Sequence, residues 1–225
     1  RPAHPVQLMT FTTTTPEITY KVPKRRHPVL QFVFTQPLGA AGLVTAALWT
    51  DVNNDGWTDL AVVGEWMPIV VFKNNGVNLE RLNNIPGLTQ SEGWWNSIQV
   101  ADINNDGNMD FIAGNWGLNS KFNASPEAPV KLYVSDFDNN KTLDHIFAYF
   151  EGEKLYPFAL RHSIIRQLTY LKKQFVYYKD YAGKTVEEIF TPEQLSNAIV
   201  NKAHRLESVV VINNGDGSYE MKPLP

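Results

Sequence analysis

The chain has 225 residues, room for one large domain or two small ones, and at 43% hydrophobic and 19% charged its composition is that of an ordinary globular protein. A net charge of −3 argues against the strongly basic footprint of a nucleic-acid binder, and no apolar run reaches the roughly 18 residues of a membrane span. The absence of cysteine excludes disulfides, thiolate metal sites and cysteine nucleophiles, and leaves the redox compartment open.

Residues 1–38 carry six prolines, the run Thr12–Thr15 and the basic cluster Lys24-Arg25-Arg26, and so read as a Pro/Thr-rich basic segment of uncertain structure, its prolines disfavouring helix and central strand. From Gly39 to Pro157 the text becomes short apolar runs bounded by Asn, Asp and Gly. Residues 44–49, 60–63, 69–72, 98–101, 111–113, 132–134 and 146–150 are rich in β-branched and aromatic types, which predicts closely spaced antiparallel strands. Asn75-Gly76 is a type I′ hairpin pair.

Over 158–206 the period changes. Leu160, Ile164, Leu168, Leu171 and Phe175 recur at helical spacing. Thr185 with Glu188, and Thr191 with Gln194 behind Pro192, match capping boxes. This predicts two or three helices inserted between strands. Strand text returns over 207–225, with a turn at residues 213–217.

Nine of the eleven aspartates fall in three nine-residue windows. The first is Asp51-Val-Asn53-Asn-Asp55-Gly56-Trp57-Thr-Asp59, the second Asp102-Ile-Asn104-Asn-Asp106-Gly107-Asn108-Met-Asp110. The third, Asp136-Phe-Asp138-Asn-Asn140-Lys141-Thr142-Leu-Asp144, has lysine where the others have glycine. Oxygen-bearing side chains stand at positions 1, 3, 5 and 9 of each window, and a backbone carbonyl is available at position 7. Calcium takes six to eight hard oxygen ligands, which such a tight loop supplies. The glutamate of an EF-hand at position 12 is absent, and the flanks are strand-like. Calcium is therefore expected at the first two loops. At the third the residues weigh both ways: Lys141 brings positive charge and backbone strain, while Asp138 restores a third carboxylate.

Asp-x-Asn-x-Asp-Gly-x-x-Asp between short strands resembles the FG-GAP (VCBS) repeat of integrin-like β-propellers. Residues 64–68 and 113–120 are similar to a bacterial subgroup that pairs such repeats with an ASPIC/UnbV-type domain, and residues 213–219 resemble the outer hairpin of the repeat. The resemblance covers roughly 42–157 and 207–225. It implies a mainly β fold of four-stranded propeller blades, structural calcium, and a role in adhesion or in binding a protein or glycan. The spacing is uneven, with loop starts 51 and then 34 residues apart. The first blade reads as strands near 44–50, 59–64, 68–73 and 77–82. We expect 96–150 to form a single further blade with the third loop on its outer hairpin; the other solution leaves the second blade incomplete.

Other chemistry is sparse. His4, His27, His145, His162 and His204 have no metal-ligand spacing, and there is no phosphate loop or nucleophile elbow. Trp94-Trp95 is a candidate ligand-stacking pair, whereas Trp49, Trp57, Trp66 and Trp116 read as packing between blades. The expectation is thus β-propeller blades, part of a larger propeller, with an α-helical insertion at 158–206. The function expected is that of a non-catalytic calcium-binding segment of a secreted or surface-attached bacterial protein, extracellular or outer-membrane-attached, itself part of a longer polypeptide. A calcium-dependent polysaccharide lyase or hydrolase, drawing on Glu65, Glu92, Glu151 or Glu153, is the enzymatic alternative; a structural scaffold is the third.

Overall fold

The structure, a computed structural model, describes residues 19–22, 30–33 and 42–224. Most of the N-terminal Pro/Thr-rich segment, including Lys24-Arg25-Arg26, His4 and His27, lies outside the described residues. Within that segment β1 (Thr19–Val22) and β2 (Leu30–Val33) pair antiparallel. The rest divides into two compact units, one of described residues up to Gly117 and from Leu206, the other Leu118–Arg205.

The first unit holds two sheets. One is the meander β3 (Leu43–Thr50), β4 (Asp59–Met67), β5 (Val70–Asn74) and β6 (Leu79–Arg81), with the short β7 (Gly93–Trp94) on β4. These are the strands read for the first blade, each within a few residues. Strand β4 is central, and its period-two alternation sends Ala61 and Val63 to one face and Leu60 and Val62 to the other. All four are 3% exposed or less, so both faces are covered.

The second sheet corrects the expected layout. Strands β8 (Ser97–Ala101) and β9 (Asp110–Gly114) are followed in space not by 132–150 but by β14 (Val209–Asn213) and β15 (Tyr219–Pro223). Strand β14 pairs with β9 in the register Val209↔Ala113 to Val211↔Phe111, so that edge is closed to any nearer segment. Residues 96–150 are therefore not one blade. A four-stranded meander is completed by the chain's last strands, and the whole second unit is inserted between its second and third strands. Phe111, Ala113, Val209 and Val211 of this sheet pack with Ala61, Val63, Val71 and the fully buried Trp95 in one core. Each large side chain buried this way contributes about 1.5–3 kcal/mol.

The second unit carries its own sheet, in the order β12 (Lys154–Pro157), β11 (Asp144–Glu151), β10 (Val130–Ser135), β13 (Ile199–Ala203). Its fourth strand lies beside β10 rather than beyond β12, so it is not a meander like the other two. Five short helices cover one face: α1 (Arg161–Gln167), α2 (Leu171–Gln174), α3 (Tyr178–Tyr181), α4 (Val186–Ile189) and α5 (Pro192–Ser196). The inserted unit therefore runs 118–205, wider than the helical stretch 158–206, and its helices pack on one face of its sheet. Ile164, Leu168, Leu171 and Phe175 are all buried against Ile146, Ala148 and Leu155 as their spacing predicts, but Leu160 is 73% exposed. The helix breaks at Leu168 (φ −111°, ψ 87°), ahead of Thr169 and Tyr170, two residues of weak helix propensity. Both capping boxes form: Thr185 N–H donates to Glu188 Oε2 at 2.9 Å, and Thr191 and Gln194 exchange bonds of 2.9 and 3.2 Å.

Candidate functional site

The three acidic loops link β3 to β4, β8 to β9 and β10 to β11, and they fold alike. In the first, Asp51 turns inward and its two oxygens accept the N–H groups of Asp55 (3.2 Å) and Gly56 (2.9 Å). Asp102 does the same for Asp106 and Gly107, and Asp136 for Asn140 and Lys141. Position 5 then accepts from the N–H of position 7: Asp55 from Trp57, Asp106 from Asn108, Asn140 from Thr142. Two residues per loop take left-handed backbone. Position 6 is Gly56 (φ 85°), Gly107 (87°) and Lys141 (70°), and position 4 is Asn54 (57°), Asn105 (59°) and Asn139 (58°). Asparagine is the side chain that enters this region most readily after glycine.

Position 9 plays a part that spacing alone did not reveal. Asp59 and Asp110 are fully buried. Asp59 accepts from Val52 N–H (2.9 Å) and Asn74 N–H (2.7 Å); Asp110 accepts from Ile103 N–H (2.9 Å) and Asn213 N–H (2.8 Å). Each clamps its loop to the third strand of its own sheet. Desolvation raises the Asp59 carboxyl above its ordinary value, opposed by those two N–H groups and helped by the charges of Asp55 and Asp51. Asp55 itself is held low. Burial works against this, but the Trp57 N–H, the Asn53 amide and the Lys73 ammonium at 3.5 Å outweigh it. Asp106 is held low by the Asn108 N–H and the Asn104 amide.

In the first two loops the position 3 amide turns its nitrogen toward position 5, Asn53 Nδ2 to Asp55 Oδ2 at 3.0 Å and Asn104 Nδ2 to Asp106 Oδ2 at 2.8 Å. The third loop has a carboxylate there. Asp136, Asp138 and Asp144 each bring one oxygen within 4.8 Å of the other two, the one such group of acidic or imidazole side chains among the described residues. Asp138 Oδ1 is buried and makes no hydrogen bond. Helical residues brace the loop: Gln167 donates to Asp144 Oδ1 (3.2 Å), and Gln194 donates to Phe137 O (2.9 Å) and to Tyr170 Oη (3.1 Å). Burial pushes the Tyr170 phenol up, the Gln194 contact opposes this, and the carboxylates of Asp138 and Asp144 add to it. These donor sets suit a hard cation; each loop carries three aspartates, and in the third all three converge.

The loops of the first two sheets touch, Asn54 Nδ2 donating to Asn108 Oδ1 at 3.0 Å. Trp57 at position 7 packs on the Asn75-Gly76 hairpin, and Asn108 on Gly215 of the equivalent hairpin; a Cβ on either glycine would come within 2.7–2.8 Å of those side chains.

The tryptophan pair separates. Trp95 is 0% exposed, its Nε1 donating to Ser91 O at 2.9 Å, and is a core residue rather than a ligand platform. Trp94 is half-buried and makes tilted ring contacts with Trp66 and Trp116. Of the glutamates, Glu92 lines an open cleft of about 360 Å³ with Arg81, Asn84 and Gln90. Glu65 sits on β4 opposite Trp94, and Glu151 and Glu153 lie on the exposed β11–β12 hairpin of the second unit.

No helix among the described residues is long and apolar enough to cross a membrane. Comparison with curated proteins and with solved structures gave no match. Comparison with protein-family models did: residues 51–113, from the first residue of the first loop to the penultimate residue of β9, match the FG-GAP-like repeat.

Proposed function

We propose that the chain is a non-catalytic, calcium-binding repeat module that presents a recognition surface to a protein or glycan outside the cell. The observation that carries the reading is the common fold of three loops of unequal sequence, extending to a lysine held at φ 70° where the others have glycine. A turn selected only for reversal has no need to keep an inward carboxylate at position 1 with two N–H bonds in every copy. Asp136, Asp138 and Asp144 would hold the ion in the third loop, with Asp51, Asn53, Asp55 and Asp59, and Asp102, Asn104, Asp106 and Asp110, in the others. A bound calcium supplies positive charge that relieves the mutual repulsion of these acids and ties each loop to its sheet. Sites of this kind commonly bind at about 10⁻⁴–10⁻³ M in extracellular modules, which matches millimolar calcium outside cells.

Thermal melting with calcium and with EDTA, together with calorimetric titration, tests this. A ligand that binds the folded state alone raises the midpoint by linkage. Saturable binding with a raised midpoint is expected; equal midpoints and no heat would end the calcium reading.

A further inference from the structure

Trp66 and Trp116 occupy the same place in their sheets, two residues beyond Gly64 of β4 and Gly114 of β9. The indoles of both meet Trp94, each with a centroid separation of 4.9 Å and with interplanar angles of 56° and 33°. Trp116 is 52% exposed, and Trp66 and Trp94 are half-buried. Strand β4 begins at Asp59, which closes the first loop, and ends beside Trp66, so at about 3.3 Å per residue the indoles lie roughly 20 Å from that loop, at the opposite end of the strands.

The stack is held from behind. Asn115, 8% exposed, accepts the backbone N–H of both Trp94 (2.9 Å) and Trp116 (2.8 Å) through one oxygen, and its own N–H donates to Ser208 Oγ at 3.1 Å. Gly93 has no room for a Cβ, which would lie 2.8 Å from Asn115 Nδ2. Trp66 has φ 59°, a left-handed backbone rare for a bulky aromatic and of the kind that gathers at ligand sites.

We infer that Trp66, Trp94 and Trp116 form a stacking platform for a neutral oligosaccharide; this names the surface and ligand class for the binding role proposed above and rests on that reading. Rings 4.9 Å apart touch one another, so no cation fits between them as in an aromatic cage, where the charge sits within about 6 Å of several ring faces. What they offer is the half-exposed indole of Trp116, backed by the other two rings in tilted contacts, an apolar surface that suits the C–H face of a pyranose. Residues 64–67, 91–97 and 114–117 contain no lysine or arginine and two glutamates, Glu65 and Glu92, a balance that repels an anionic polymer. Asn96 and Ser97 are exposed next along the chain, with the amide and hydroxyl that sugar hydroxyls bind. Leu43, 54% exposed and opposite Glu65 across β3 and β4, is an exposed aliphatic side chain of the same sheet and serves as the control for an apolar protein contact.

The test is titration of tryptophan fluorescence in the full chain, in calcium buffer, with cello-, xylo-, manno-, laminari- and maltohexaose, and with hexagalacturonate as the anionic counterpart. At least one neutral hexaose is expected to give saturable binding, weakened about tenfold or more in Trp116→Ala and partly kept in Trp116→Phe, with Leu43→Ser unchanged. Hexagalacturonate is expected not to bind. Absence of saturable binding across the neutral set, or equal binding by Trp116→Ala, overturns the proposal. Self-association in sedimentation velocity that is lost in Leu43→Ser, without saccharide binding, would overturn it in favour of a second copy. The calcium-dependent shift in melting midpoint, read on the same Trp116→Ala protein, is expected to match wild type, so failure of the platform is distinguished from failure of the calcium reading.

Discussion

The carboxylate of Asp110 accepts the backbone N–H of Asn213 at 2.8 Å across 103 residues of sequence. The same bond joins Asp59 to Asn74 at 2.7 Å across 15. In both cases the aspartate closes its acidic loop and the asparagine ends the third strand of the sheet. In both, the asparagine oxygen then accepts the N–H of a hairpin glycine, Gly76 or Gly215. The second repeat is thus the first with a whole unit threaded between strands two and three, and the buried clamp survives the interruption. Asn213 Nδ2 also donates to Val52 O at 2.7 Å, fastening the last strands of the chain to the first loop.

This clamp predicts an asymmetric mutational pattern. Asp110→Ala leaves the N–H groups of Ile103 and Asn213 without a protein acceptor, and a buried unsatisfied donor costs about 1–3 kcal/mol. A loss of about 3 kcal/mol or more is expected in urea unfolding followed by tryptophan fluorescence. Asn213→Ala keeps its backbone donor and loses only side-chain bonds, for about 1–2 kcal/mol. Equal costs for the two variants would show that Asp110 is not the centre of the clamp.

Two glycines with one backbone angle separate conformational strain from steric approach. Gly56 and Gly87 both have φ 85°. A Cβ on Gly56 meets nothing within 4 Å, whereas one on Gly87 lies 1.6 Å from Tyr219 O on β15. Gly56→Ala should cost only the left-handed penalty of about 1–2 kcal/mol. Gly87→Ala must also push the 82–92 connection off β15, breaking the Tyr219 N–H bond to Pro86 O. It is expected to cost several kcal/mol by the same urea assay, or to prevent folding; similar midpoints for the two variants would refute the close approach.

Much of this was legible in the text of the chain. Strands β3 to β6, β14 and β15 lie where runs of β-branched residues placed them, because period two survives wherever a strand has covered faces. Thr191 and Gln194 cap α5 as their spacing says, since a capping box is complete within four residues. What could not be read was adjacency. Val130–Ser135 and Val209–Asn213 both read as strands, and only Asn213 N–H on Asp110 and the β9–β14 register decide which follows β9. The acidic spacing marked fifteen loop residues but could not say that Asp59 and Asp110 face backbone donors, nor that Gln167 and Gln194 would brace the third loop. Asn74 and Asn213 carried a usable signal, each ending an apolar run just before an Asn-Gly pair. The Trp66–Trp94–Trp116 stack depends on a bulge at Trp66, which no local pattern announces.

Lys141 is a built-in strain with a simple remedy. At φ 70° it occupies a conformation that costs a side-chain-bearing residue about 1–2 kcal/mol, and its own N–H is committed to Asp136 Oδ2 at 2.8 Å. Lys141→Gly removes that cost while adding chain entropy of about 0.5–1 kcal/mol to the unfolded state. A net gain of roughly 0.5–1 kcal/mol in the second unit is expected, read by hydrogen exchange at β10 and β11. Removal of the ammonium should also tighten calcium at Asp136, Asp138 and Asp144. Calorimetry giving a weaker ion in Lys141→Gly would mean that the lysine supports the loop instead of straining it.

Alkaline pH gives a separate handle on the second unit. Burial pushes the Tyr181 phenol up to about 12, and its hydroxyl donates to Ala159 O at 2.6 Å. An unfolded tyrosine titrates near about 10, so the fold favours the protonated form. Its contribution is complete below about pH 10 and is lost as pH rises toward about 12. Burial moves Tyr219 of the first unit in the same direction, so the two units must be followed apart. All six tryptophans lie in the first unit, and the helices among the described residues lie in the second, so fluorescence reports one and the helical far-UV signal the other. The helical transition should hold its midpoint to about pH 10 and then fall. Tyr181→Phe should sit about 1 kcal/mol lower at neutral pH for want of the Ala159 bond, and fall less steeply above pH 10, having no phenol to ionise. An alkaline slope unchanged by that substitution would move the cause to another tyrosine of the unit, with Tyr133 and Tyr170, both also raised by burial, the next to replace.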